Sequence, residues 1–165
     1  MFESYVFPKL ETDSSILVLG GGTSRLPYQI YDMGYHNVTV VDFSVNARKA
    51  MEKQIDERPG LEYVISDVAS FNPGKKYDFI IDKGCVDCVL ADPVEPMAQL
   101  RRFLEAVRNV MKYIATWVSI SFDDDRDEQM LETMPQLDIS KHELSVKLQM
   151  QQLEKKFYVY EIKLK

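Results

Sequence analysis

Ser15-Ile16-Leu17-Val18-Leu19-Gly20-Gly21-Gly22-Thr23-Ser24-Arg25, followed by Val38-Thr39-Val40-Val41-Asp42, is the stretch that decides the fold. Four apolar residues run straight into three glycines, and an apolar, periodic stretch (Leu26, Ile30, Tyr31, Met33) comes after them. That pattern reads as a buried strand, a tight turn and the start of a helix. Backbone without Cβ can turn sharply and come into contact with a ligand, which is what glycine supplies there. About one strand–helix–strand unit later, a second β-rich run ends in a lone carboxylate, Asp42. At the strand ends of an open α/β sheet such a group can accept both hydroxyls of a ribose. Glycines alone would also suit a bare strand–helix turn; together with Asp42 they imply a nucleoside-containing cofactor.

The choice of nucleoside follows from what is missing. A dinucleotide fingerprint needs a third glycine three residues after the second, where helix and strand close around a pyrophosphate. Counting from Gly20 and Gly22, that place is Arg25. A phosphate-cradling loop needs Gly-Lys-Ser/Thr, and Gly22-Thr23-Ser24 has no lysine. A nucleoside without pyrophosphate is the remaining ligand, and S-adenosylmethionine fits best.

The 165 residues make one domain, 1–165, with 1–13 as a short strap, and they suffice for a core without staples. Hydrophobic content of 45% and charged content of 28% are ordinary for a globular protein. A net charge of −6 argues against general attraction to nucleic acid or anionic membrane. The charge is uneven: Ser140 to Lys165 holds six lysines against three glutamates. Two cysteines, no leader-like opening and no run of membrane-spanning length make the cytoplasm the expected compartment.

In chain order, Met1 to Asp13 is aromatic-rich (Phe2, Tyr5, Phe7) and broken by Pro8. A helix from about Leu26 to Met33 stops at Gly34, strand two is Asn37 to Asp42, and Ser44 caps a helix running to about Glu57. Strand three, Leu61 to Ser66, and strand four, Tyr77 to Asp82, are each closed by an acid, Asp67 and Asp82. Leu100, Phe103, Leu104, Val107 and Val110 set a helix over about Glu95 to Lys112, before strand five, Ala115 to Phe122. The acidic run Asp123 to Glu128 leads into a short helix ending before Pro135. Period-two alternation through Leu144, Val146, Leu148 and Met150, and again through Tyr158, Tyr160, Ile162 and Leu164, predicts an antiparallel hairpin turning near Gln152 to Lys155. The expected fold is α/β: a three-layer, Rossmann-like sandwich on a seven-stranded, mostly parallel sheet with a C-terminal antiparallel hairpin.

From about Ser14 onward the chain resembles the class I S-adenosylmethionine-dependent methyltransferases. More narrowly, it is similar to the methyltransferase-like lysine methyltransferases of the elongation factor that delivers aminoacyl-tRNA. The likeness rests on Leu19 to Leu26, Tyr31-Asp32-Met33-Gly34-Tyr35, Val41-Asp42-Phe43-Ser44 and Asp82-Lys83-Gly84-Cys85-Val86-Asp87. That last block resembles the group's Asp-Lys-Gly-Thr-Leu-Asp signature. The resemblance implies S-adenosylmethionine as cofactor, S-adenosylhomocysteine as product and a protein as substrate. It implies that the backbone around Gly20 and Gly22 faces the cofactor's methionine end, with Leu19, Gly21, Thr23, Ser24, Arg25 and Ser44 as further cofactor-binding residues. Asp42 would hold the ribose, Phe43 would lie against the adenine, and Asp67 would accept its amino hydrogens with Val68 supplying backbone contact. Asp82 and Lys83 would border the transferring methyl group, with Asp82 also near the cofactor's amino group. Relatives of this kind carry a longer N-terminal cover, so a partner subunit supplying that lid is an expectation too.

The rival readings are a methyltransferase fold that binds cofactor or partner without transfer, and a small-molecule methyltransferase. An Asn-Pro-Pro-Tyr type of motif is absent after strand four, which argues against a nucleic-acid base or glutamine acceptor. Cys85-Val86-Asp87-Cys88 has the spacing of a redox or zinc pair, yet only His36 and His142 could add ligands, both far off in sequence. Incidental thiols and no metal are expected. The acidic run reads as a solvated loop that could receive a basic surface.

Overall fold

Everything hangs on β1 (Ile16–Leu19), which pairs in parallel with β2 (Val38–Asp42) on one side and β4 (Tyr77–Lys83) on the other. The structure, a computed structural model, describes residues 10–148 and 153–165. Its sheet has seven strands in the order β3-β2-β1-β4-β5-β7-β6, with β3 at Leu61–Ile65, β5 at Met111–Ser121, β6 at Leu137–Leu148 and β7 at Leu153–Leu164. Strands β1 to β5 are parallel; β7 runs antiparallel to β5, and β6 antiparallel to β7. This is the expected Rossmann-like layout with its terminal hairpin. The helices are α1 (Leu26–Asp32), α2 (Val45–Asp56), α3 (Cys85–Leu90), α4 (Pro96–Val110) and α5 (Arg126–Thr133), with a 3₁₀ turn at Val68–Ser70.

All four residues of β1 are buried because helices cover both faces of the sheet. Leu17 and Leu19 face one core with Leu100, Phe103, Leu104 and Val107 of α4. Ile16 and Val18 face the other, with Tyr28 and Ile30 of α1 and Met51 and Ile55 of α2. Leu10 packs on this second core, while positions 1–9 of the expected strap and Met150 lie outside the described residues; of the turn expected near Gln152 to Lys155, Leu153 to Lys155 belong to β7 instead. Local chemistry sets the boundaries. The Ser44 hydroxyl accepts from the Ala47 N–H at 3.1 Å and caps α2, and prolines open α1 and α4.

Two further stretches differ from the sequence reading, besides β6, which starts at Leu137 and not at Leu144. The α4 helix ends at Val110 instead of Lys112, and β5 starts at Met111 instead of Ala115. Met111 is buried opposite Tyr77, and the register then slips, so that Thr116 is the next partner, opposite Phe79. The slack puts Tyr113 and Ile114 out in solvent although both are apolar, which is why periodicity misplaced the junction. The short helix α3 was also not anticipated, because the block that forms it was read only as a motif.

The α4 face carries one of the two cores. Leu104→Ala should therefore destabilise the fold by about 2–5 kcal/mol in urea unfolding, with no change at the strand ends. A loss below about 1 kcal/mol would show that the α4 face is not packed as described.

Candidate active site

Connections leave β1 and β4 toward opposite sides of the sheet, so their carboxyl ends border the crevice where α/β sheets take ligands. A cavity of about 480 Å³ opens there, lined among others by Gly20, Asp42, Phe43, Asp67, Val68, Lys83, Gly84 and Cys85. A smaller recess of about 300 Å³ adjoins it along the glycine turn, sharing Gly20 and Lys83 and adding Leu19, Gly21, Gly22, Thr23 and Ser24. These two spaces bring together residues from four separate strand ends.

Backbone geometry explains the glycines. Gly20 and Gly22 have φ of +59° and +51°, a region that side chains rarely enter. A Cβ on Gly20 would sit 2.7 Å from the Cys85 sulfur, so the turn and the start of α3 close on each other. A Cβ on Gly22 would meet nothing within 4 Å; this part of the loop faces open space.

Asp42 fixes the loop. One carboxylate oxygen accepts from the Gly22 N–H and the other from the Ser44 N–H, each at 2.8 Å. The Gly22 carbonyl accepts from the Tyr63 hydroxyl at 3.3 Å. Desolvation, with Asp42 nearby, raises the Tyr63 pKa to about 12, so the hydroxyl stays a donor at neutral pH. A carboxylate offers about four lone-pair sites, so each Asp42 oxygen still has capacity for a ribose hydroxyl. Tyr63 escaped the sequence reading. Only its position on β3, two residues short of the strand's carboxyl end, could have flagged it.

Phe43, next in line, is 79% exposed and lines the cavity, as does Asp67. One Asp67 oxygen accepts from the Ala69 N–H at 2.9 Å and caps the 3₁₀ turn. Ser44 and Arg25 serve the helices instead: Ser44 caps α2, and Arg25 stands before α1 without lining either space.

Asp82 and Lys83 part company. Lys83 is exposed and lines both spaces. Asp82 is fully buried and is not part of the cavity wall. One of its oxygens accepts from the Cys85 N–H at 3.1 Å and the Val86 N–H at 3.4 Å, capping α3, and the other accepts from Trp117 Nε1 at 2.9 Å. Burial pushes its pKa up to about 6 against the pull of these donors and Ser119. Asp82 thus holds the turn that carries Lys83 and Gly84. The sequence reading also missed the α3 side of the wall, Cys85, Cys88 and Val89, whose i, i+3, i+4 spacing was the available signal. Burial pushes the Cys85 thiol well up, so it packs as a neutral group.

These residues fit S-adenosylmethionine. Among the described residues, Asp42, Asp67 and Asp92 line the main cavity against one cation, Lys83, which suits a sulfonium and disfavours a pyrophosphate. The exposed Phe43 ring offers a base a stacking surface, and the volume lies in the range of small-ligand pockets.

Comparison with known proteins agrees. Residues 17–112, more than half of the chain, match the family described as "Methyltransferase domain". The chain is 34% identical over 96 residues to the EEF1A lysine methyltransferase 4 of Mus musculus, covering 58% of this chain and 38% of that protein. It is 31% identical over 124 residues to the eEF1A lysine and N-terminal methyltransferase of Mus musculus, covering 73% of this chain and 17% of that protein. The chain therefore spans well under half the length of these relatives. Among solved structures, an S-adenosylmethionine-dependent methyltransferase from Clostridium acetobutylicum superposes with a TM-score of 0.73 at 16% identity, covering 99% of this chain and 88% of that one. The glycopeptide N-methyltransferase MtfA superposes with a TM-score of 0.74 at 13% identity, covering 99% and 93%. The chain belongs to the S-adenosylmethionine-dependent methyltransferase family.

Asp42→Ala removes the anchor of Gly22 together with the carboxylate that has acceptor capacity left for a ribose hydroxyl. It should weaken S-adenosylmethionine binding by about 1–3 kcal/mol in calorimetric titration, whereas Tyr63→Phe should cost a smaller, few-fold loss. Unchanged affinity in a folded Asp42→Ala chain would remove Asp42 from the site. For Asp82 the folded pKa lies above its unfolded value near 3.8, so its contribution is full below pH 4 and is lost as pH rises through 6. Asp82→Asn should flatten that decline, on the order of 2 kcal/mol between pH 4 and 7, in urea unfolding followed across pH. An unaltered pH profile would show Asp82 to be unperturbed.

Proposed function

We propose that the chain transfers a methyl group from S-adenosylmethionine to a lysine side chain of a protein, with the elongation factor that delivers aminoacyl-tRNA as first candidate. One observation carries the reading. One cavity is lined by Asp42, Phe43 and Asp67 together with the Lys83-Gly84-Cys85 turn, in a chain whose relatives bear the names of lysine methyltransferases.

Bound cofactor would supply an electrophilic methyl group on a sulfonium. The chain's own part is alignment, and holding two groups at near-attack distance accounts for much of the rate in such displacements. Asp42 and the glycine turn fix the ribose and methionine portions, and Phe43 and Asp67 seat the base. Asp82, through the α3 cap, fixes the Lys83–Gly84 turn where the acceptor would enter. An acceptor lysine must arrive neutral, and the apolar side of the wall, Val89 and Phe103 among it, favours the uncharged amine. Lys83 adds a cation at the entrance and disfavours a second positive charge beside it. No general base is needed from the chain, since the amine can lose its proton to water before it enters.

The test is incubation of the purified chain with methyl-tritiated S-adenosylmethionine and purified elongation factor, with mass spectrometry of the product. Label on a lysine of the factor, abolished by Asp42→Ala, is the expected result. Cofactor binding without label on the factor would overturn the acceptor assignment. Neither binding nor label would overturn the enzymatic reading altogether.

A further inference from the structure

Just past β5, Phe122 is 59% exposed although aromatic, and its ring lies 5.1 Å, centroid to centroid, from that of Phe157 on β7. The two rings form an apolar step just past the end of β5. The Gly84 N–H donates to the Ile120 carbonyl at 2.8 Å, and the Phe122 N–H donates to Asp87 of α3 at 3.3 Å. The step is therefore tied to the same turn that brings Lys83 to the cavity.

Beyond it the chain carries five carboxylates between Asp123 and Glu128 against Arg126 alone. Their backbone is pinned. The Arg126 guanidinium pairs with Asp87 at 2.9 Å, with Asp125 at 3.1 Å and with Asp123. The Tyr160 hydroxyl donates to the Asp123 carbonyl at 2.7 Å, and Lys141 Nζ donates to the Asp124 carbonyl at 2.6 Å. Among the described residues, the exposed carboxylates of Asp124 and Glu128 have no ion pair. An exposed aromatic step beside a preformed negative rim loses little freedom on binding, and it complements a segment that is basic with an apolar residue.

We propose that the Phe122–Phe157 step and the carboxylate rim after it dock the acceptor protein through a basic, lysine-bearing segment with an apolar residue seated on the rings. The inference rests on the protein-lysine reading above and adds where the acceptor is held. Nucleic acid is repelled by the same charge. A second copy of this chain has only its basic Ser140 to Lys165 segment to offer the rim, and the dimer arm of the test tells it apart from the acceptor.

The test uses a fluorescein-labelled twelve-residue probe of alternating Lys and Thr with one central Leu, and a counterpart with Glu for Lys. Anisotropy is followed at 150 mM salt, with and without saturating S-adenosylhomocysteine. The Lys probe should bind saturably and the Glu probe should not. Asp124→Lys and Phe122→Ser should each weaken the Lys probe at least fivefold, while calorimetry shows S-adenosylhomocysteine affinity within twofold of the parent chain. No binding of the Lys probe, equal binding of both probes, or indifference to both substitutions overturns the docking surface. So does a concentration-dependent dimer, by light scattering, that Phe122→Ser dissolves. Lys-probe binding with these variant effects but without any S-adenosylhomocysteine binding supports the surface and overturns the methyl-transfer reading instead.

Discussion

The Asp42 carboxylate is the constraint on which the site depends. It ends β2, and its two oxygens take the N–H groups of Gly22 and Ser44. One side chain thus joins the turn after β1 to the cap of α2. A glycine turn with positive φ at both ends would otherwise sample many conformations. Here its far end is held from two sides, by Asp42 on the N–H of Gly22 and by Tyr63 on its carbonyl. The loop is shaped before any ligand arrives, so little ordering cost remains to be met by binding.

The charge pattern divides the molecule. Carboxylates line the strand-end cavity against Lys83, and a second group of carboxylates follows β5. Between them lies Asp82, an acid taken out of water and surrounded by donors from α3 and β5. Burying an acid is costly unless its lone pairs are met, and the three N–H donors meet most of them. The consequence is mechanical. Asp82 orients a turn from beneath, and the exposed neighbour Lys83 meets the ligand space.

Much of this was legible in the chain itself. The run from Ser15 to Asp42 gave the strand, the turn and the strand-end acid because buried parallel strands read as continuous apolar runs. The hairpin was visible because alternation of period two survives on a partly exposed sheet edge. The α4 to β5 junction was not, since Tyr113 and Ile114 look like core residues and only the register slip opposite Tyr77 throws them outward. The division of labour between Asp82 and Lys83 was equally hidden. Neighbours on a strand point to opposite faces, but which face holds the ligand depends on where the helices pack. Tyr63 and the pairing of Arg126 with Asp87 join residues 41 and 39 positions apart, and no local pattern reports such contacts.

The strand order carries a consequence for synthesis. β5 pairs with β7, not with β6, which is made earlier. While the chain emerges from the ribosome, the five parallel strands can assemble with the outer edge of β5 bare, and β6 has no neighbour to join until β7 follows it. An unpaired edge is a template for other strands, and vectorial synthesis exposes such intermediates. The interval between the appearance of Ser121 and that of Trp117's partner, Ile162, is thus the window in which a nascent chain of this topology is most open to misassociation.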